Sequence, residues 1–277
     1  MISLSRVSTA AVGILLALAP LERAFAADWL DDTFLRGSFV NAPVRWDGVN
    51  FGVTLGVMNM NTDFSHATSP LVGQILTDST VESEAAPSQW VVLGNSGSNG
   101  RSYGAFLGYS TQWDQAVIGF DLGYNKTSGV ETSSSGSIER VVATSDDTAH
   151  DVTITASSSI KLVDYATMRF RAGYAFGQFM PYVVIGGAVG RFNYSNSVNL
   201  VDVQTDSGGG ISVFSPPTVT EAKDNAIVAG FVGGLGMDVA LAPNIFLRGE
   251  WEFVGFGKVG GISTSINTGR VGLGMRF

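Results

Sequence analysis

The sequence predicts an all-β protein: an eight-stranded antiparallel up-and-down transmembrane β-barrel with long extracellular loops and short periplasmic turns. Three observations predict it. Side chains alternate with a period of two along much of the chain, the connections alternate tight and long, and an export signal stands at the amino terminus. Composition agrees. The 277 residues are 45% apolar and only 14% charged, against about 25% charged in an average soluble protein. The 35 glycines follow no Gly-X-Y period, which excludes collagen. The absence of Cys excludes disulfide scaffolds, iron–sulfur clusters and thiolate zinc sites. A net charge of −8 argues against a nucleic-acid partner, which needs a basic face to meet phosphates.

Residues 1–26 read as a cleavable signal peptide. Arg6 supplies the positive start, 10–19 the apolar core, and Ala24-Phe25-Ala26 the small-x-small cleavage site. That core is too short to cross a bilayer, which takes about 20 residues as a helix. Residues 27–45 are expected to form a periplasmic lead-in, with Trp29, Phe34 and Phe39 packing at the barrel mouth, and 46–277 the outer-membrane barrel.

Each strand is justified by its alternation. In the first, Val49, Phe51, Val53, Leu55 and Val57 alternate with Gly48, Asn50, Gly52, Thr54 and Gly56. Over 115–126, Ala116, Ile118, Phe120, Leu122 and Tyr124 alternate with Gly119, Asp121, Gly123 and Asn125. Over 162–174, Met168, Phe170, Ala172 and Tyr174 are set against Thr167, Arg169, Arg171 and Gly173. In 245–256, Ile245, Leu247, Trp251 and Phe253 alternate with Arg248, Glu250 and Glu252. The last strand sets Val271, Leu273, Met275 and Phe277 against Arg270, Gly272, Gly274 and Arg276. Three less regular strands are expected near 101–112, 179–193 and 224–240.

The connections decide the architecture. Tight turns at 112–114, 176–178 and 242–244 alternate with long segments at 59–100, 127–156, 194–222 and the shorter 257–264, rich in Ser, Thr, Asp and Gly. Lipid offers the backbone no hydrogen bonds, so a sheet inside it must close on itself. Alternation alone has no sign, and a secreted barrel or sandwich with its apolar face inside would show the same period. The loop asymmetry, the lack of Cys and the terminal Phe277 favour the membrane. Trp113, Tyr103, Tyr109, Tyr124, Tyr174, Trp251 and Phe277 suit interfacial girdles.

At Arg45-Trp46-Asp47-Gly48-Val49-Asn50-Phe51-Gly52 the chain resembles the opening strand of the small outer-membrane β-barrel ("porin family") proteins of alphaproteobacteria. Trp46, Gly48 and Gly52 fit their Trp-x-Gly-x-Tyr-x-Gly pattern, and Asn50 stands where a Tyr is usual. Ser102-Tyr103-Gly104, Gly108-Tyr109 and Trp113-Asp114 are similar to the family's second strand and first turn. The ending from Arg270 to Phe277 is similar to its closing strand. The resemblance spans about 45–277. It implies an outer-membrane location and a terminal Phe277 read as an assembly signal by the barrel-assembly machinery. It leaves function open, since members are porins, envelope-stabilising proteins and surface antigens.

No catalytic, cofactor or metal site is expected. His66 and His150 stand alone in polar segments and read as solvated loop residues, no Gly-x-Ser-x-Gly elbow occurs, and Gly233-Gly234-Leu235-Gly236 lies on a strand rather than before a helix. The candidate site is the lumen. The alternation points Asp121, Arg169, Arg171, Arg248, Glu250, Glu252, Arg270 and Arg276 inward, where they are expected to pair and plug the barrel. Glu250 or Glu252 is expected beside Arg270, and Arg169 or Arg171 near Asp121. The long segments together carry a net charge about equal to that of the whole mature chain, an outer collar suited to cations or to divalent bridging of lipopolysaccharide phosphates. Ser69-Pro70 before 71–76 predicts a short helix over the outer mouth. The expected partners are outer-membrane lipid, lipopolysaccharide and the barrel-assembly machinery. The function expected is a structural or porin-like envelope component with a narrow or plugged lumen; the alternative is a surface adhesin or receptor acting through the long loops.

Overall fold

A computed structural model describes residues 44–277. The strands are β1 (Gly48–Asp63), β2 (Asn95–Trp113), β3 (Ala116–Ser128), β4 (Glu131–Ala143), β5 (Ala149–Tyr174), β6 (Phe179–Thr205), β7 (Ile211–Phe214), β8 (Val219–Ala242), β9 (Ile245–Phe256) and β10 (Ser263–Arg276). Two short helices, α1 (Ser69–Ile75) and α2 (Thr80–Ala85), and a 3-10 turn at Pro87–Gln89 occupy the first long connection. The signal peptide and nearly all of the 27–45 lead-in, with Trp29, Phe34 and Phe39, lie outside the described residues.

Eight strands close a cylinder in the antiparallel order β1-β2-β3-β5-β6-β8-β9-β10, with β10 back against β1. At the seam Val49 and Phe277 exchange backbone hydrogen bonds of 3.0 and 2.9 Å, and the Phe51 and Phe277 rings stack at 5.8 Å. Closure matters because an open edge in lipid would leave its N–H and C=O groups unpaired. The apolar series of every alternating strand faces out: Val53, Leu55, Ile118, Phe170, Ile185 and Leu273 are all exposed. All the girdle aromatics face outward too, from Trp251 at 46% to Phe277 at 68% exposure.

Two further strands extend the cylinder rather than widen it. β4 continues β3 after Gly129, which takes the left-handed conformation (φ 75°) that turns the chain, and pairs with the upper half of β5. β7 precedes β8 along the upper end of β6. β4, the upper halves of β5 and β6, β7 and the start of β8 therefore form one sheet that projects beyond the closed cylinder. The segments 127–156 and 194–222, expected as loops, are mostly strand, and β6 runs to 27 residues.

The inner face of the projecting sheet is mainly apolar. Val152, Ile154, Ala156, Val198 and Leu200 are buried there with Leu71, Val72, Leu76 and Val81 of the helical connection. The helix expected at 71–76 begins at Ser69. Thr68 is its N-cap without a side-chain cap bond, and Pro70 stands in its first turn. The helix α2, which had no expectation, is capped by Ser79, whose hydroxyl accepts from the Glu82 amide at 3.2 Å.

Candidate functional site

Inside the cylinder the side chains stack in three tiers. The middle tier is ionic. Asp121, Arg169, Arg171, Asp238, Arg248, Glu250, Glu252 and Arg270 are all buried, four guanidiniums against four carboxylates. Cross-strand register assembles them: Asp121 opposes Arg169 on β3 and β5, Arg270 opposes Glu250 on β10 and β9, and Asp238 opposes Arg248 on β8 and β9. Arg248 holds Asp238 with two parallel bonds, Nε to Oδ1 at 2.8 Å and Nη2 to Oδ2 at 2.9 Å. Such bidentate pairs are the strongest form of this contact. Arg171 donates to Asp238 at 2.8 Å and also binds Asp121. Arg169 and Arg270 both bind Glu250, and both reach Glu252 Oε2, at 2.7 and 2.6 Å. The Tyr182 hydroxyl donates to Glu250 at 2.9 Å.

The structure thus places seven of the eight residues singled out for the lumen in this lattice. Arg276 stands outside it. Its guanidinium lies over the Trp46 ring at 4.6 Å and donates to the Pro243 carbonyl at 2.9 Å. It points inward as expected but lies one level too low to meet a carboxylate. Asp238 had no expectation, because the strand that carries it has Gly and Val on both faces and shows no polar side.

Below the lattice lies an apolar floor of Trp46, Phe106, Met180, Tyr182 and Phe246. Phe246 packs at 6.2 Å from Trp46 and 6.1 Å from Phe106. Arg248 joins the two tiers by lying 4.0 Å above the Phe106 ring. Glycine permits this density: a Cβ at Gly236 would sit 2.5 Å from the Tyr182 hydroxyl. Above the lattice lies an apolar roof. Phe192 and Phe256 pack edge to face at 5.0 Å, Tyr165 joins Phe256 at 6.4 Å, and Met58, Met60, Leu162, Val232 and Ile266 fill the rest under the helices. The lattice is therefore covered by apolar side chains on both sides.

Outside the membrane, several of the loop acids are engaged in local structure and stay charged there. Glu82 accepts from the Ser88 amide at 3.2 Å and Glu84 from the Ser145 amide at 3.0 Å. Asp206 accepts from the Gly208 and Gly210 amides, each at 2.8 Å. Hydrogen bonds from the Ser65 hydroxyl and amide hold the Asp63 carboxyl below its ordinary value. The Thr144 hydroxyl does the same for Asp146. Burial and the neighbouring Glu221 carboxylate push the Tyr194 hydroxyl up to about 12. His150, expected in a solvated loop, is buried on the inner face of the projecting sheet, with Nδ1 2.8 Å from Asp202 Oδ2. Among the described residues no cluster of His, Asp and Glu is placed to hold a metal.

A closed, lipid-facing antiparallel cylinder with short turns at one end and a projecting sheet at the other defines an integral outer-membrane β-barrel. The model of the outer membrane protein β-barrel domain family matches residues 33–277, and the chain belongs to that family. Among solved structures the fold is similar to Ail, the attachment invasion locus protein of Yersinia pestis, at 11% identity, 83% coverage of this chain, 99% of that one and a TM-score of 0.35. It is also similar to Neisserial surface protein A, at 15% identity, 82% and 97% coverage and a TM-score of 0.33. No curated protein gives a match.

Proposed function

We propose that the protein is a non-conducting outer-membrane barrel, a structural envelope component that presents its projecting sheet and helical cap at the cell surface. The three-tiered lumen carries this reading. Porin-like transport needs a continuous water path, and here a neutral ionic lattice lies between two packed apolar layers. The shell is porin-like and the interior is not. The adhesin or receptor alternative gains support from the projecting sheet, which has its own apolar core and so offers a firm surface rather than loose loops. We read the protein as non-enzymatic, with the His150–Asp202 pair supporting the sheet from within its covered face. Export by the signal peptide and reading of Phe277 by the barrel-assembly machinery complete the proposal. Phe277 is 68% exposed, at the end where the turns are short.

The chain has no Cys, so single cysteines report sidedness cleanly. On intact cells a membrane-impermeant maleimide is expected to label Ser207→Cys, in the turn between β6 and β7, and to spare Asn244→Cys, in the turn between β8 and β9. The reverse pattern would refute surface presentation of the sheet.

A further inference from the structure

The flank built from β3–β4, β5 and β6 presents three chemistries in succession on its outward side. Lowest is the apolar band, where Leu122, Met168 and Ile185 are exposed to lipid. Where that band ends, Lys126, Lys161 and Arg191 face outward on the three neighbouring staves, and Arg101 continues the belt on β2. Asp164 lies between Lys126 and Arg191; it pairs with Arg191 and accepts from the Tyr124 hydroxyl at 3.0 Å. Glu131 is the cross-strand neighbour of Lys161. Four cations against two carboxylates leave the belt positive.

Above the belt the outward face becomes an uncharged lattice of hydroxyls. Its central row is Ser135, Ser157, Ser197 and Thr220, one residue from each of β4, β5, β6 and β8. The row below holds Ser133, Ser159 and Ser195, and the row above Ser137, Thr155 and Asn199. Neighbours are tied across strands, with Ser137 to Thr155 at 3.0 Å and Ser197 to Thr220 at 3.1 Å. A shallow depression follows these residues. The opposite flank differs, because on β1 and β10 the apolar band gives way to the paired Asn59 and Asn267.

We propose that the β3–β6 flank is a docking surface for a phosphorylated glycolipid of the outer leaflet, of the lipopolysaccharide class. Its acyl chains lie along the apolar band, its phosphates at Arg101, Lys126, Lys161 and Arg191, and its oligosaccharide along the hydroxyl lattice. Lys and Arg at the headgroup level are the natural partners of phosphate. Each hydroxyl both donates and accepts, and strands about 4.8 Å apart repeat that pattern at a spacing suited to a polyol chain. The lattice carries no carboxylate that would repel the phosphates below it. The proposal rests on the extracellular placement of the sheet, which labelling at Ser207→Cys reads separately.

The test uses the full chain refolded into phosphatidylcholine vesicles containing either lipopolysaccharide with its core oligosaccharide or lipid A alone. The readout is glycolipid retained per barrel after extraction into detergent. Arg101→Gln/Lys126→Gln/Lys161→Gln, which spares Arg191 and its partner Asp164, should lower retention of both glycolipids at least about tenfold. Ser135→Ala/Ser157→Ala/Ser197→Ala, which removes hydroxyls without adding charge, should lower retention of the complete lipopolysaccharide and leave lipid A unchanged. Asn59→Ala/Asn267→Ala on the opposite flank should change neither. Wild-type retention by the cation variant would overturn the proposal, and wild-type retention of complete lipopolysaccharide by the Ser→Ala variant would overturn its sugar tier. Should the triple cation variant lack the heat-modifiable migration of a folded barrel, Lys161→Gln alone, on the projecting sheet, decides the matter. It should lose retention severalfold, and no loss would overturn the proposal.

Discussion

Asp238 takes hydrogen bonds from Arg171 and Arg248 at once, so its single charge answers two buried guanidiniums. Removing one partner of a buried pair costs about 3–5 kcal/mol, because the other charge remains without its counterion. Asp238→Asn should therefore lose about that much in urea-dependent folding into lipid vesicles, and a loss below about 1 kcal/mol, the scale of an exposed pair, would contradict the lattice. Most of the lattice is legible in sequence. Arg169, Arg171, Glu250, Glu252 and Arg270 each interrupt an apolar series at every second position, which fixes their side. Depth along the barrel axis is not written in that period, so Arg276 shares their direction but meets the floor instead. Outside the membrane, Asp63 offers a second residue-scale test. Folding lowers its pKa through Ser65, so the stabilisation is present above the ordinary carboxylate range and fades as pH falls through the lowered value. Ser65→Ala should raise the Asp63 midpoint toward its ordinary value in a carbon-13 titration. An unchanged midpoint would show that the Ser65 hydroxyl is not the cause.

At the scale of the element, β5 shows why the membrane-spanning strands were legible and the projecting sheet was not. In its lower half the outward residues are apolar, Met168 and Phe170, and the inward ones are Arg169 and Arg171. In its upper half the pattern inverts: Val152, Ile154 and Ala156 point inward, while Thr153, Thr155 and Ser157 face out. A bulge between Leu162 and Asp164 marks the change. The solvent reverses from lipid to water there, so the same two-residue period serves two opposite demands. Ser, Thr and Asp on the wet face then give 127–156 and 194–222 the composition of loops. The inversion has a measurable consequence. Phe170→Arg, placed in the apolar band, should cost about 2–4 kcal/mol of folding stability. Thr153→Arg, outward on the same strand above the membrane, should stay within about 0.5 kcal/mol of the wild type. Equal costs would mean that the boundary between lipid and water has been misplaced on β5.

For the whole molecule, closure is what the sequence announces most clearly and plugging what it announces only in part. The alternating strands follow from a sheet with lipid on one face and a packed lumen on the other, and the closed order of the strands from the requirement that a sheet in lipid have no free edge. The ionic middle of the lumen follows from inward charge in a cylinder just wide enough for side chains. The floor and roof do not. They are assembled from Trp46, Phe246, Phe192 and Phe256, residues distant in sequence that meet only once the cylinder has closed. On the proposed reading, their presence turns an ion-paired lumen into a sealed one. Single-channel recording on the refolded, purified barrel in a planar bilayer tests it most directly. The expected result is a flat baseline, indistinguishable from the protein-free membrane, across the applied voltages. Steady conductance on the scale of a general porin, from monomeric protein, would contradict it.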